Sequence, residues 1–197
     1  FEMLSGAGAA LGFNIPVFHI YGGSVPEGSI DELVRHALTK MSHLHFATTR
    51  EYARRIAQMG EEDWRIIVSG APGLDNMLQI KTPTKAEIEE RFAIDLEQPT
   101  LLATYHPVTR SKVPGQDELT PLLAAIEDLG IQVVFTYPNA DSGGRAMVAE
   151  IEEFQKRFAG ARLVVNASQE FYIGLMKHVS SMAGNSSSGI IEAASFG

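Results

Sequence analysis

Short apolar runs alternate with amphipathic stretches along the whole chain, in a repeated strand–helix rhythm. The runs at 15–20, 44–47, 65–68, 100–104, 132–137 and 162–166, and a shorter one at 180–183, predict strands. They are bounded by Gly, Pro or polar residues and lack strict alternation, which is how strands buried on both faces read. Between them, residues 29–41 place Ile30, Leu33, Val34, Ala37, Leu38 and Met41 on one helical stripe. A second helix is expected over 49–59, stopped by Gly60. A third spans 84–92, where Thr84 followed three residues later by Glu87 makes a capping box. Residues 117–129 end at Gly130, and 142–158, 169–177 and 187–196 complete the helices.

Such alternation predicts an α/β fold in which helices cover parallel sheets, in Rossmann-like units. Ala71-Pro72-Gly73 reads as a turn, and Lys81-Thr82-Pro83-Thr84 resets the chain before a new helix, so a boundary is expected between Gly70 and Pro83. Residues 1–76 carry three strands, the look of half a domain, and 77–197 carry about four. There is no internal repeat or low-complexity segment.

Composition narrows the function. The 197 residues are 45% hydrophobic and 20% charged, an ordinary globular balance. No apolar run is long enough to span a bilayer, so no membrane partner is expected. With no cysteine, disulfides and thiolate metal sites are excluded. A net charge of −8 argues against nucleic acid, which needs a basic face. It leaves room for an anionic small molecule, since a phosphate needs only a few local N–H donors.

Three strand ends carry candidate chemistry. Gly184-Asn185-Ser186-Ser187-Ser188-Gly189 runs from a strand into a helix, where exposed amides attract an anion and Glu192 sits about one turn on. A serine-capped helix entry explains the same residues. Tyr105-His106-Pro107 follows another strand; an imidazole there can contact phosphate or transfer a proton, or can be a loop histidine satisfied by backbone. Asn139 and Asp141, after a third strand, serve equally as helix caps. Near the N-terminus, Gly22-Gly23 permits close approach of backbone and ligand. Asp31 and Glu32 open the next helix, where the dipole alone accounts for carboxylates, and Arg35 and His36 follow one turn later. His43 and His45 lack a third ligand at suitable spacing and read as structural, so no metal is expected.

The order of these segments is more specific than any one of them. His-Ile-Tyr-Gly-Gly at 19–23, Ile-Asp-Glu-Leu-Val-Arg-His-Ala-Leu-Thr-Lys at 30–40, Gly-Ala-Pro-Gly-Leu-Asp at 70–75, His-Pro-Val-Thr at 106–109, Pro-Asn-Ala-Asp-Ser-Gly at 138–143 and Gly-Asn-Ser-Ser-Ser-Gly at 184–189 resemble, in sequence and spacing, the hydrolysing UDP-N-acetylglucosamine 2-epimerases. The resemblance covers essentially the whole chain. It implies the two-domain glycosyltransferase-B fold with an interdomain active site, the first domain incomplete here and the second cut short at its C-terminal end. Family members carry a further half-domain ending in Gly-Asp-Arg just before the position of Phe1, and that Asp is one of the family's catalytic carboxylates. A chain of these residues alone is therefore expected to be inactive.

The reaction implied eliminates UDP across C1 and C2 of the sugar to a glycal, then adds water to give N-acetylmannosamine and UDP, with no cofactor. By the same resemblance Asp31 matches a catalytic carboxylate, His106 the histidine facing the diphosphate, Ser186 and Ser187 the phosphate-binding pair, and Glu192 the carboxylate gripping the ribose. Arg35 and Asn139 line the site. The resemblance further implies a cytoplasmic protein of sialic-acid type pathways, a homo-oligomer (dimer or tetramer) when full length, with a nucleotide sugar as its partner. One departure stands out: animal-type enzymes have Glu where Tyr21 stands, and many relatives have Glu where Ser24 stands. Glu27, displaced along the loop, is expected to act in their place; a different substrate or lost activity are the other outcomes. A glycosyltransferase of the same fold and a non-catalytic nucleotide-sugar-binding relative are the alternative functions.

Overall fold

The computed structural model describes residues 2–25, 30–107, 119–138 and 143–196, with Leu78 through its backbone alone. The chain divides into two compact units, Phe1–Asp75 and Asn76–Gly197.

In the first unit, helix α1 (Glu2–Gly12) leads to strand β1 (Phe18–Ile20), α2 (Asp31–Met41), β2 (Leu44–Ala47), α3 (Arg50–Gln58) and β3 (Ile66–Val68). The strands form a parallel sheet in the order β1-β2-β3, with His19 opposite His45. Thr49 caps α3 by accepting the Tyr52 amide, and Gly60 follows the helix with φ +92°. Helix α4 (Pro72–Gln79) runs through the boundary between the units. It replaces the turn expected at 71–73, because proline at the first helical position starts a helix rather than ending the chain's regular structure. α1 was not expected either; its Gly/Ala-rich sequence carries no clear stripe.

The expectation of strands buried on both faces fails for this sheet. Phe18 and Ile20 are 58% and 53% exposed while His19 between them is buried, so β1 turns its polar residue inward. That interior is hydrogen-bonded. Thr39 Oγ1 donates to the Arg35 carbonyl and lies 3.2 Å from His19 Nδ1, which fits a neutral ring donating from Nδ1. Burial, reinforced by His45, Arg35 and His36, lowers the His19 pKa to about 4. Fully buried His45 places Nε2 3.1 Å from Glu61, which also takes a 2.5 Å bond from Lys40. Burial opposes ionisation of Glu61, but the bonds from Lys40 and His45 outweigh it and hold the carboxyl below its usual range. His43 lies outside β2, and its Nδ1 accepts the Val17 amide at 3.1 Å.

The second unit contains α5 (Lys85–Phe92), β4 (Thr100–Thr104), α6 (Thr120–Leu129), β5 (Gln132–Thr136), α7 (Gly144–Arg157), β6 (Ala161–Val164), α8 (Gln169–His178), β7 (Ser181–Gly184) and a single helical turn, α9 (Ser188–Ile191). All four strands are parallel, in the order β6-β5-β4-β7. Leu101, Ala103, Val133 and Phe135 pack with Leu123 and Ile126 of α6 and Met147, Ile151 and Phe154 of α7. Leu102 and Val134, alternating to the other face, are fully buried too. Here the doubly buried pattern is realised in the central strands β4 and β5, while the outer strands β6 and β7 are only partly buried. The capping box at Thr84 and Glu87 forms as the sequence implies, and Gly130 closes α6 in the left-handed conformation. The 3₁₀ turn Ala193–Ser195 follows α9, so the helix expected over 187–196 is broken at Glu192.

The N-terminal ends of the strands are tied by side chains. Gln132 Nε2 donates to Thr100 Oγ1 (2.7 Å) and to the Asp95 carbonyl (3.1 Å), and the Thr100 amide donates to Ser180 Oγ (3.1 Å). This leaves the opposite, C-terminal ends open for a ligand.

His19 gives a test of the first unit's polar interior. A histidine held neutral until about pH 4 lets the unfolded chain bind the extra proton first, so stability falls as pH drops from 6.5 toward 4 and levels below. The loss is at most about 3 kcal/mol. Urea unfolding at pH 7 and pH 4.5 checks it: His19→Asn should show a smaller drop than the parent, and equal drops would remove His19 as the cause.

Candidate functional site

At the C-terminal ends of β4, β5 and β6 lies an open cleft of about 430 Å³, entirely within the second unit. Thr104 and Thr136, the last residues of β4 and β5, form its floor and are joined by a 2.9 Å hydroxyl bond. His106, residues 164–167, Tyr172, Ser186, Ser187, Ser188 and Glu192 complete its lining.

The geometry around the serine turn follows from a close approach of strands. Gly184 has φ +143°, and a Cβ there would fall 1.8 Å from the Thr104 carbonyl oxygen, so only glycine ends β7 in this place. Immediately after it, Asn185 bonds the His106 backbone twice: the His106 amide donates to Oδ1 and Nδ2 donates to the His106 carbonyl, both at 2.7 Å. Ser186 Oγ accepts the Ser188 amide at 3.3 Å, and the Gly189 amide donates to the Ser186 carbonyl at 3.2 Å. Among the described residues the amides of Ser186 and Ser187 have no acceptor. Tyr172 Oη donates to Ser188 Oγ at 3.0 Å, and the Ser188 hydroxyl donates to Glu192 Oε2. Glu192 is thus held by a short relay instead of reaching freely.

No lysine or arginine is among the described residues lining the cleft. An anion there would be met by hydroxyls, turn amides and the His106 ring. With α9 only one turn long, the helix dipole contributes less than the sequence suggested. The acceptor-rich floor, two engaged threonines and a glutamate suit a polar, hydroxyl-bearing ligand with an anionic end.

Of the residues expected at a site, His106, Ser186, Ser187 and Glu192 are brought together here. Asp31 and Arg35 lie in the first unit on α2, where Arg35 Nη2 pairs with Asp31 Oδ2 at 2.5 Å and Nη1 donates to the Tyr21 carbonyl at 2.9 Å. Glu27, Asn139 and Asp141 fall outside the described residues. The Gly22-Gly23 pair has an explanation within the protein. A Cβ at Gly22 would meet the His19 ring at 2.9 Å and one at Gly23 the Tyr52 carbonyl oxygen at 2.3 Å, so loop packing alone requires glycine at both positions. Tyr172, Ser188, Thr104, Thr136 and Asn185 were not singled out by sequence. Thr104 ends the strand predicted over 100–104 and Thr136 is the penultimate residue of the one predicted over 132–137, the one signal that pointed to them; Tyr172 lies on an ordinary amphipathic helix.

Parallel α/β units with a polar crevice outside the carboxyl ends of their strands bind ligands at that crevice, nucleotides among them. The chain belongs to the UDP-N-acetylglucosamine 2-epimerase family, whose model matches residues 1–197. It is 37% identical over 195 residues to the Legionella pneumophila UDP-N,N'-diacetylbacillosamine 2-epimerase (hydrolyzing), covering 99% of this chain and 51% of that protein. With the Campylobacter jejuni GDP/UDP-N,N'-diacetylbacillosamine 2-epimerase (hydrolyzing) it shares 35% identity, over 100% of this chain and 52% of that one. The chain spans about half the length of the curated relatives it matches. Among solved structures, the Neisseria meningitidis UDP-GlcNAc 2-epimerase bound to UDP-GlcNAc superposes with a TM-score of 0.77 at 19% identity, over 93% of this chain and 51% of that one. The Methanocaldococcus jannaschii enzyme in complex with UDP-GlcNAc and UDP gives 0.76 at 19%, over 98% and 54%. These likenesses give the fold: parallel α/β units of the glycosyltransferase-B type.

The floor of the cleft makes a direct prediction. Gly184→Ala must push β7 away from β4, and should destabilise the protein by about 3 kcal/mol. Urea denaturation checks this; a loss below about 0.5 kcal/mol, the range of ordinary surface changes, would contradict the tight approach.

Proposed function

We propose that the intact protein carrying this chain is a hydrolysing 2-epimerase acting on UDP-N-acetylglucosamine or a related nucleotide-activated amino sugar. The observation that carries this reading is the gathering of His106, Ser186, Ser187 and Glu192 around one strand-end cleft, in a member of this family. In the proposed complex the Ser186 and Ser187 amides and hydroxyls bind the diphosphate, and the His106 ring faces it. Glu192, oriented through Ser188, takes the ribose hydroxyls. Residues 164–167 at the end of β6 line the same cleft.

Chemistry then proceeds in two steps. A base removes the C2 proton, the C1–C2 double bond forms, and the C1–O bond to UDP breaks with its electrons leaving on the β-phosphate. Stabilising that charge is the task of the His106 ring and the turn donors. Water then adds across the glycal, hydroxyl to C1 and a proton to the opposite face of C2, giving N-acetylmannosamine. Asp31 supplies acid–base chemistry, with Glu27 standing in for the carboxylates that Tyr21 and Ser24 replace. Arg35, paired to Asp31, orients that carboxylate, and Asn139 adds to the nucleotide site.

In the same proposal the unit Phe1–Asp75 is the C-terminal half of a Rossmann-like domain. The exposed apolar Phe18 and Ile20 on β1 support this. A second reading of the substrate, UDP-N,N'-diacetylbacillosamine, is favoured by the relatives from Legionella and Campylobacter that carry that name.

Incubating the intact protein with each sugar nucleotide and identifying the products tests the reaction. Free N-acetylmannosamine, or the corresponding diacetamido sugar, together with UDP is expected. Transfer to an added acceptor would make the protein a glycosyltransferase, and saturable UDP binding without turnover a non-catalytic relative. Two variants test the residues. His106→Ala should lower kcat at least about 100-fold, the scale of a lost charge-stabilising donor, and unchanged kinetics would withdraw its role. Ser187→Ala should weaken UDP about tenfold in calorimetry, the scale of one hydrogen bond to a charged group; equal affinity would remove it from the site.

A further inference from the structure

We infer that Asn185 is a positioning residue that locks the His106 loop to the serine turn, so that the ring and the phosphate donors are presented as one rigid constellation. This deepens the nucleotide-cleft reading above and rests on it.

The observations are geometric. Asn185 is the first residue after β7, and His106 the second after β4. The two strands are paired in register up to Thr104 opposite Gly184, and then the ladder ends. Among the described residues no regular backbone pairing holds the two exits together beyond that point. The Asn185 amide takes over: its Oδ1 accepts the His106 N–H and its Nδ2 donates to the His106 carbonyl, each at 2.7 Å. One side chain thus satisfies both backbone groups of the same residue, as the next rung of a strand pair would. An asparagine is the shortest side chain bearing a donor and an acceptor in one plane. Aspartate offers two acceptors and cannot serve the carbonyl; leucine matches the shape and serves neither.

Next in the chain come Ser186 and Ser187, which line the cleft with His106. On the other side Gly184 fixes where Asn185 begins, because the Thr104 carbonyl leaves no room for a Cβ. The clamp is therefore anchored at one end by a steric stop and holds the cleft's histidine at the other. Asn185 does not itself line the cleft, so its effect on a ligand passes through the two segments it joins.

Kinetics of Asn185→Ala, Asn185→Asp, His106→Ala and the double variant His106→Ala/Asn185→Ala in the intact protein test this. Asn185→Ala is expected to lower kcat at least tenfold, Asn185→Asp to lie between it and the parent, and the double variant to fall within twofold of His106→Ala alone. A merely structural role would instead multiply the two losses, and that result overturns the inference; so does an unaffected Asn185→Ala alongside a collapsed His106→Ala. If Asn185→Ala does not fold, Asn185→Asp paired with His106→Ala carries the same comparison. Should His106→Ala leave turnover intact, the catalytic role given to His106 fails by itself, and UDP calorimetry then decides the clamp. A loss of affinity of about fivefold or more in Asn185→Ala supports it, and equal affinity overturns it.

Discussion

Everything at the cleft depends on how closely the end of β7 lies against the end of β4. The contact of Gly184 with the Thr104 carbonyl brings two strand exits together at a spacing no other residue permits. Parallel pairing carries the strands to that point in register, and the buried layers of Leu101, Ala103, Val133 and Phe135 with Leu102 and Val134 keep the sheet from relaxing. What emerges from the two strands, His106 on one side and the serine turn on the other, is then placed by the fold and not by the loops themselves. A rigid scaffold that delivers polar groups at its strand ends is the arrangement ligand sites in open α/β sheets use.

The first unit solves a different problem. Its short sheet buries histidines where apolar residues would be usual, and each must be satisfied or kept neutral. His19 is kept neutral beside Thr39, while His45 shares Glu61 with Lys40. Above this layer Tyr21 adopts φ +70°, a conformation uncommon for a side chain of its size. Arg35 and Arg55 hold the loop there by donating to the Tyr21 and Gly23 carbonyls. Tyr21 therefore sits on backbone that its surroundings impose, and strain retained in this way is more often found at functional positions than elsewhere.

Much of this was legible in the residues. The strand–helix rhythm, the capping box at Thr84 and Glu87 and the glycine stops at Gly60 and Gly130 are local signals, and each appears in the structure as the pattern implies. The motif order identified the family, and with it four residues that the fold does gather in one cleft. What escaped were features that depend on tertiary context. Pro72 opens a helix where the dipeptide rule reads a turn, and Gly22 and Gly23 answer to a histidine ring and a distant carbonyl. Asn185 stood in view within the serine motif, yet its partner is 79 residues away and no spacing rule connects them. Tyr172 reaches Ser188 from a helix whose pattern is only amphipathic.

On the proposed reading the strand-end cleft of the second unit takes a nucleoside diphosphate. Hydrogen–deuterium exchange of the intact protein with and without saturating UDP tests this. Slowed exchange in the peptides spanning 104–107 and 184–192, with the surrounding sheet unchanged, is the predicted result. Protection confined to other segments while UDP is bound would place the nucleotide elsewhere and contradict the account.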